Sequence, residues 1–251
     1  MVHKNLNIKN KYNKKLSAIL DMPKENIKEY VIFNHCFTCS KDYKIYNNIS
    51  KILISNGYAT IRFDMMGLGN SGGNFSDTSF ITNVEDLNAI YKYIKENYKA
   101  PKFLIGHSLG GLISIKASEK LKDIKGIAAI GSPFNLNGLK NILSKYNDEL
   151  YEKGSAKIDV SGREFTIGRK FIEDVKDENI ENTIKNFNKS IIIFHSNIDE
   201  VVDYKYGIKL FNTINSDKSF ITLKEVNHLV SGKDDAYYIG EILSNWFDNI
   251  K

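Results

Sequence analysis

The sequence predicts an α/β fold, a mostly parallel eight-stranded sheet with helices on both faces. Three observations carry this. Runs that are apolar at nearly every position, such as Tyr30-Val-Ile-Phe-Asn-His35 and Ser190-Ile-Ile-Ile-Phe-His195, leave no face for water. They alternate with segments of helical periodicity, as parallel strands and their crossovers must. Midway along the chain, Lys102-Phe-Leu-Ile-Gly106-His107-Ser108-Leu109-Gly110-Gly111 reads as an apolar strand that turns directly into a helix. A chain of 251 residues can bury one substantial core, and a single domain over 1–251 is expected.

The elements follow in order. Asn5–Lys9 and Lys15–Leu20 are expected to form an antiparallel pair around a turn at Asn10–Asn13, with Leu16, Ala18 and Leu20 alternating on one face. Tyr30–His35 is a buried strand, followed by a helix over Tyr43–Asn56 and a strand over Tyr58–Asp64. After a glycine-rich loop, Val84, Leu87, Ile90, Tyr91 and Ile94 share one face of a helix over Asn83–Asn97. The strand ending at Gly106 leads into a helix over Leu112–Lys122. Gly126–Gly131 and Ser190–His195 are two more buried strands, Ser219–Glu225 is the last strand, and Asp235–Asn249 a closing helix.

The alternation breaks once, over residues 133–189, which mix helical pieces with a hairpin-like run at Ile158–Ile167. This stretch is too long for an ordinary strand-to-helix loop and follows a strand that ends on the same edge as Ser108. It is expected to be a small lid insertion shaping substrate access.

The formal net charge of +5 and pI near 8.9 come from lysines spread along the whole chain, and Arg62, Arg163 and Arg169 are the only arginines. Without a basic block, a solvated surface is expected and no nucleic-acid partner. No stretch has the length of a signal peptide's apolar core or of a membrane span, so a cytoplasmic location is expected. Cys36 and Cys39 make no disulfide framework, in keeping with that location.

Gly106-His-Ser-Leu-Gly110 is the G-x-S-x-G nucleophile elbow, whose tight turn holds the central serine in a strained conformation above the sheet edge. A serine hydroxyl needs an imidazole to take its proton and a carboxylate to orient that imidazole. For this turn the partners follow in the order serine, acid, histidine. Asp199 lies just past one buried strand and His228 just past the last, so both can reach the edge that carries Ser108. The oxyanion hole is expected from the backbone N–H groups of Leu109, at the start of the following helix, and Phe37, in the loop after the third strand.

The other histidines are weaker bases. His3 falls in a terminus expected to be mobile, the His107 side chain should point away from the Ser108 hydroxyl, and His195 ends a strand before the acid. Substrate contacts are expected from His35, Cys36, His107, Phe134 and Phe165. Asp64 is expected to tie down the glycine loop. Two other motifs carry different chemistry. Gly67-Leu-Gly69-Asn-Ser-Gly72 matches a dinucleotide fingerprint but leads into a polar loop instead of a helix. Cys36-Phe-Thr-Cys39 lies between strand and helix as redox pairs do, making a redox protein the rival reading. A zinc site would need two more ligands at usable spacing, so no metal and no cofactor are expected.

Taken together, the segments 33–42, 62–72, 106–111 and 195–202 with Asn227-His228 resemble the α/β-hydrolase superfamily. The likeness runs from about Tyr30 to the C-terminus. Within the superfamily the chain is similar to the branch sometimes fused to an OsmC-type peroxide-reducing domain, and more loosely to the cinnamoyl (feruloyl) esterases. The resemblance implies an α/β-hydrolase fold, a Ser108–His228–Asp199 triad and an oxyanion hole of the Phe37 and Leu109 amides. Gly162-Arg-Glu-Phe-Thr166 resembles that branch's lid. The sequence stops at Lys251, with no OsmC domain expected, and Cys36 stands at a common glycine position, where its Cβ would narrow the acyl pocket. The expected activity is hydrolysis of a carboxylic ester with a small to medium acyl group, aromatic ones included, with thioester or amide cleavage as alternatives. The expected partner is a small-molecule ester, with the protein a monomer or dimer.

Overall fold

The computed structural model describes residues 1–250. Ten strands are present among them: β1 Val2–Lys9, β2 Lys15–Met22, β3 Tyr30–Asn34, β4 Ala59–Phe63, β5 Phe103–His107, β6 Gly126–Ile130, β7 Ser155–Val160, β8 Arg163–Gly168, β9 Ser190–Ser196 and β10 Lys218–Leu223. The helices are α1 Lys44–Ser55, α2 Phe80–Asn97, α3 Leu109–Ser118, α4 Asn137–Ser144, α5 Asn147–Lys153, α6 Arg169–Asp177, α7 Ile180–Lys185, α8 Tyr204–Thr213 and α9 Lys233–Asn249.

Eight strands form one sheet in the order β1-β2-β4-β3-β5-β6-β9-β10. β2 is antiparallel to both its neighbours, and the pairs from β4 through β10 are parallel. The expected mostly parallel eight-stranded sheet is therefore what the chain adopts. Alternate residues along each central strand enter separate apolar layers. Ile32, Leu104, Ile127 and Ile193 pack toward α2 and α3, whereas Val31, Phe33, Ile105 and Phe194 pack toward α1 and α9. Because both faces are covered, these strands read as continuous apolar runs.

Element boundaries differ from expectation where local hydrogen bonding decides them. α2 begins at Phe80, three residues early, because Ser79 forms a capping box: Thr82 N–H donates to Ser79 Oγ at 3.2 Å and Ser79 N–H to Thr82 Oγ1 at 2.6 Å. α8, absent from the sequence expectation, buries only Gly207 and Leu210. β1 starts at Val2, so His3 lies in a strand and its Nδ1 meets Asp21 Oδ1 at 2.6 Å, correcting the expectation of a mobile end.

The segment between β6 and β9 comprises α4, α5, the antiparallel hairpin β7–β8, α6 and α7. Its Phe165 and Phe171 pack on Phe75, at ring separations of 5.6 and 6.2 Å. Among the described residues no helix is long and apolar enough to cross a membrane.

Candidate active site

The parallel strands all end on one edge, which gathers the loops carrying Phe37, Ser108, Gly131, Asp199 and His228. Ser108 sits between β5 and α3 at φ 54°, ψ −124°, in the left-handed half of the map, where a residue with a side chain is held only by its surroundings. Its own N–H donates to the Ile130 carbonyl at 2.8 Å, and its carbonyl accepts from Gly111 N–H at 3.0 Å. The glycines make the turn possible. A Cβ on Gly106 would strike the Gly110 backbone, and one on Gly110 the Asn34 carbonyl.

Asp199 Oδ2 lies 2.8 Å from His228 Nδ1, and Asp199 Oδ1 accepts from the N–H groups of Val201 and Val202 at 2.9 and 2.8 Å. Burial pushes the Asp199 carboxyl up, but the His228 contact and the two amides outweigh it, so its pKa falls below the ordinary value. The acid and histidine loops are tied together. Asn197 N–H donates to the Leu223 carbonyl at 3.2 Å, and Glu225 N–H to Asn197 Oδ1 at 3.0 Å. Gly131 leaves the pair its space: a Cβ there would come within 3.2 Å of Asp199 Oδ2 and 3.4 Å of His228 Nδ1. The Ser108 backbone is tied to Ile130, and the next residue, Gly131, adjoins the pair. Among the described residues its hydroxyl makes no hydrogen bond to the His228 ring.

The Leu109 amide opens α3 and so has no acceptor within the helix. Phe37 and Thr38 are the central residues of a turn closed by Cys39 N–H donating to the Cys36 carbonyl at 3.2 Å, with Thr38 at φ 60°. Cys36 and Cys39 form a disulfide across this turn, with Cα atoms 5.3 Å apart. The two cysteines, expected to make no disulfide framework, are thus bridged to each other, and the turn that carries the Phe37 amide is covalently closed.

Four of the five expected substrate contacts are instead buried groups with partners inside the protein. His35 Nδ1 reaches the Cys36 carbonyl at 2.8 Å, and its Nε2 accepts from Met65 N–H at 3.1 Å, which joins this loop to the glycine loop. His107 Nε2 lies 2.8 Å from the His228 carbonyl, and its Nδ1 is 3.1 Å from the Tyr46 hydroxyl, which in turn accepts from Cys36 N–H at 3.2 Å. With Nε2 as donor and Nδ1 as acceptor every group in that chain is satisfied. Burial, aided by neighbouring His228, lowers the His107 pKa to about 3, so the ring is neutral. Phe134 is in the core, with Lys209 Nζ 4.2 Å from its ring centre. Cys36 is buried in the disulfide, while Phe165 is half-buried beside Phe75. Sequence reasoning missed Tyr46 and Gly131. Nothing local marks either one, since the Tyr46–His107 contact joins residues 61 apart.

Asp64 does anchor the glycine loop: its Oδ2 accepts from Asn70 N–H at 2.9 Å, and a Cβ on Gly69 would collide with its carboxylate. It also pairs with buried Lys41, at 2.7 Å from both the Lys41 amide and its Nζ.

The family model described as serine aminopeptidase, S33, matches residues 25–166. The mitochondrial palmitoyl-protein thioesterase ABHD10 of Mus musculus is 24% identical over 205 residues, covering 74% of this chain and 64% of that protein. The chain thus spans just under two thirds of that relative's length. The esterase domain of a Rhodothermus marinus protein superposes with a TM-score of 0.81 at 33% identity, covering 100% of this chain and 99% of that one. Est1E from Butyrivibrio proteoclasticus, solved with ferulic acid bound, has a TM-score of 0.80 at 21% identity, covering 98% of each chain, which is a likeness of fold.

Proposed function

The chain belongs to the serine aminopeptidase (S33) family of α/β-hydrolases, and we propose that it hydrolyses carboxylic esters of small to medium acyl groups through an acyl-enzyme on Ser108. The observation that carries this reading is the 2.8 Å contact between Asp199 Oδ2 and His228 Nδ1 on the edge where Ser108 is held at φ 54°. In the proposed reaction His228 Nε2 takes the Ser108 proton as Oγ bonds to the acyl carbon. Asp199 fixes the tautomer that leaves Nε2 free and stabilises the imidazolium. The carbonyl oxygen becomes an oxyanion, which the Phe37 and Leu109 amides receive. His228 then protonates the departing alkoxide, and water, deprotonated by the same ring, releases the acid. The segment 133–189 acts as a lid, and Phe165, half-buried at its hairpin, contacts the acyl group.

A thioester is the second reading, favoured by the 24% identity to a palmitoyl-protein thioesterase. The same steps serve it, with a thiolate leaving. Matched oxygen and sulfur esters of one acyl chain separate the two by their kcat/KM ratio. A fluorophosphonate probe tests the shared core: one adduct on Ser108 is expected, lost in Ser108→Ala. An unlabelled protein with intact fold, or label elsewhere that survives Ser108→Ala, contradicts it.

A further inference from the structure

The β7–β8 hairpin ends in a two-residue tip, Ser161–Gly162, both with positive φ, of 55° and 77°, and Gly162 N–H donates to Asp159 Oδ1 at 3.1 Å. Positive φ at both tip positions matches the twist of the strands and makes the tip well defined. Arg163 is the next residue. Its Nη2 donates to the Thr38 carbonyl at 3.1 Å and to the Tyr43 hydroxyl at 2.9 Å. The guanidinium carbon lies 5.3 Å from the Phe165 ring centre.

Thr38 is a β-branched residue at φ 60°. Such a conformation persists where surrounding contacts over-determine it. Here the contacts are few and identifiable: the Cys36–Cys39 bond, the Thr38 hydroxyl donating to the Phe37 carbonyl at 2.6 Å, and Arg163 from the hairpin. The preceding residue is gripped from the same segment, since the Phe171 ring meets the Phe37 ring at 5.4 Å.

We propose that Arg163 is a positioning residue for the oxyanion hole. By capturing the Thr38 carbonyl from the hairpin tip, it holds the Phe37–Thr38 turn so that the Phe37 N–H faces the oxygen of a Ser108 adduct. The proposal rests on the serine-hydrolase reading above. It makes the hairpin part of the transition-state machinery as well as a cover: lifting the hairpin relaxes the turn, so turnover depends on its closure. A surface arginine with no such role contributes little and leaves no kinetic trace.

The test uses the full chain with Arg163→Ala and Arg163→Lys, and kcat and KM are measured separately on a p-nitrophenyl ester. Affinity is also measured for a matched trifluoromethyl ketone. Ser108 Oγ adds to that ketone, His228 takes the serine proton, and the ketone oxygen becomes the oxyanion. Complete loss of one oxyanion donor costs about 100-fold or more, and a displaced donor less. Arg163→Ala is expected to lower kcat about tenfold with KM little changed, and to weaken the ketone by the same factor. Arg163→Lys is expected to recover part of both, since its ammonium can still donate to the Thr38 carbonyl. Parental kcat and ketone affinity in Arg163→Ala, or a loss confined to KM, overturns the positioning role. A parent that takes no fluorophosphonate on Ser108 overturns the underlying reading instead, and the proposal with it.

Discussion

Ser108 adopts φ 54°, ψ −124°, a conformation that costs about 1–3 kcal/mol and is accommodated because Gly106 and Gly110 carry no side chains at the crossing. In the proposed mechanism Asp199 fixes the tautomer of His228, so Asp199→Asn should leave KM almost unchanged while kcat falls about 10⁴-fold. Steady-state kinetics on a p-nitrophenyl ester checks this, and a loss below tenfold removes Asp199 from the role. His107 carries a pH prediction. Its folded pKa is about 3 against an ordinary 6.5, so the unfolded chain protonates first as pH falls. The neutral ring's contribution is complete above 6.5 and lost below it, at up to about 1.4 kcal/mol per pH unit. Asp86, raised to about 6 chiefly by burial, acts oppositely between 3.8 and 6, because its folded form keeps the proton. The informative quantity is therefore the difference between parent and His107→Gln in urea melts at pH 7, 6 and 5. The variant's slope should be shallower by close to one proton, and identical slopes contradict the burial argument.

The strands were legible at the scale of elements because parallel strands covered on both faces have no polar alternation to dilute the signal. α8 was not: Gly207 and Leu210 are its only buried residues, although Tyr206 and Phe211 also pack against the core. α2 was recognised by its stripe, but its start depended on a Ser79–Thr82 exchange that also fits an ordinary loop. The glycine loop was read correctly from Asp64, whereas its reach to Lys41 was not, because a lysine in a polar stretch usually stays in water. That pair joins the loop after β3 to the loop after β4 at 2.7 Å. Removing one partner of a buried ion pair strands the other charge, so Asp64→Asn should destabilise the protein by about 3–5 kcal/mol. Denaturant unfolding measures this, and a change under 1 kcal/mol would mean that Lys41 finds another partner.

Across the whole molecule, the parallel strands deliver their C-terminal loops to one edge, so the loops carrying residues 108, 199 and 228 share that edge though far apart in sequence. The position of those loops was legible because it follows from the alternation of elements. The supports were not, since the Cys36–Tyr46–His107–His228 chain and the Arg163–Thr38 contact join distant segments without a local pattern. The disulfide across Cys36 and Cys39 likewise depends on a turn that brings their Cα atoms to 5.3 Å. Intact-mass and peptide mapping after fluorophosphonate treatment shows whether Ser108, activated by His228, is the nucleophile. A single adduct on Ser108, absent in Ser108→Ala and strongly slowed in His228→Ala, is the predicted result. A folded protein that stays unlabelled, or that labels at the same rate with His228 replaced, would contradict it.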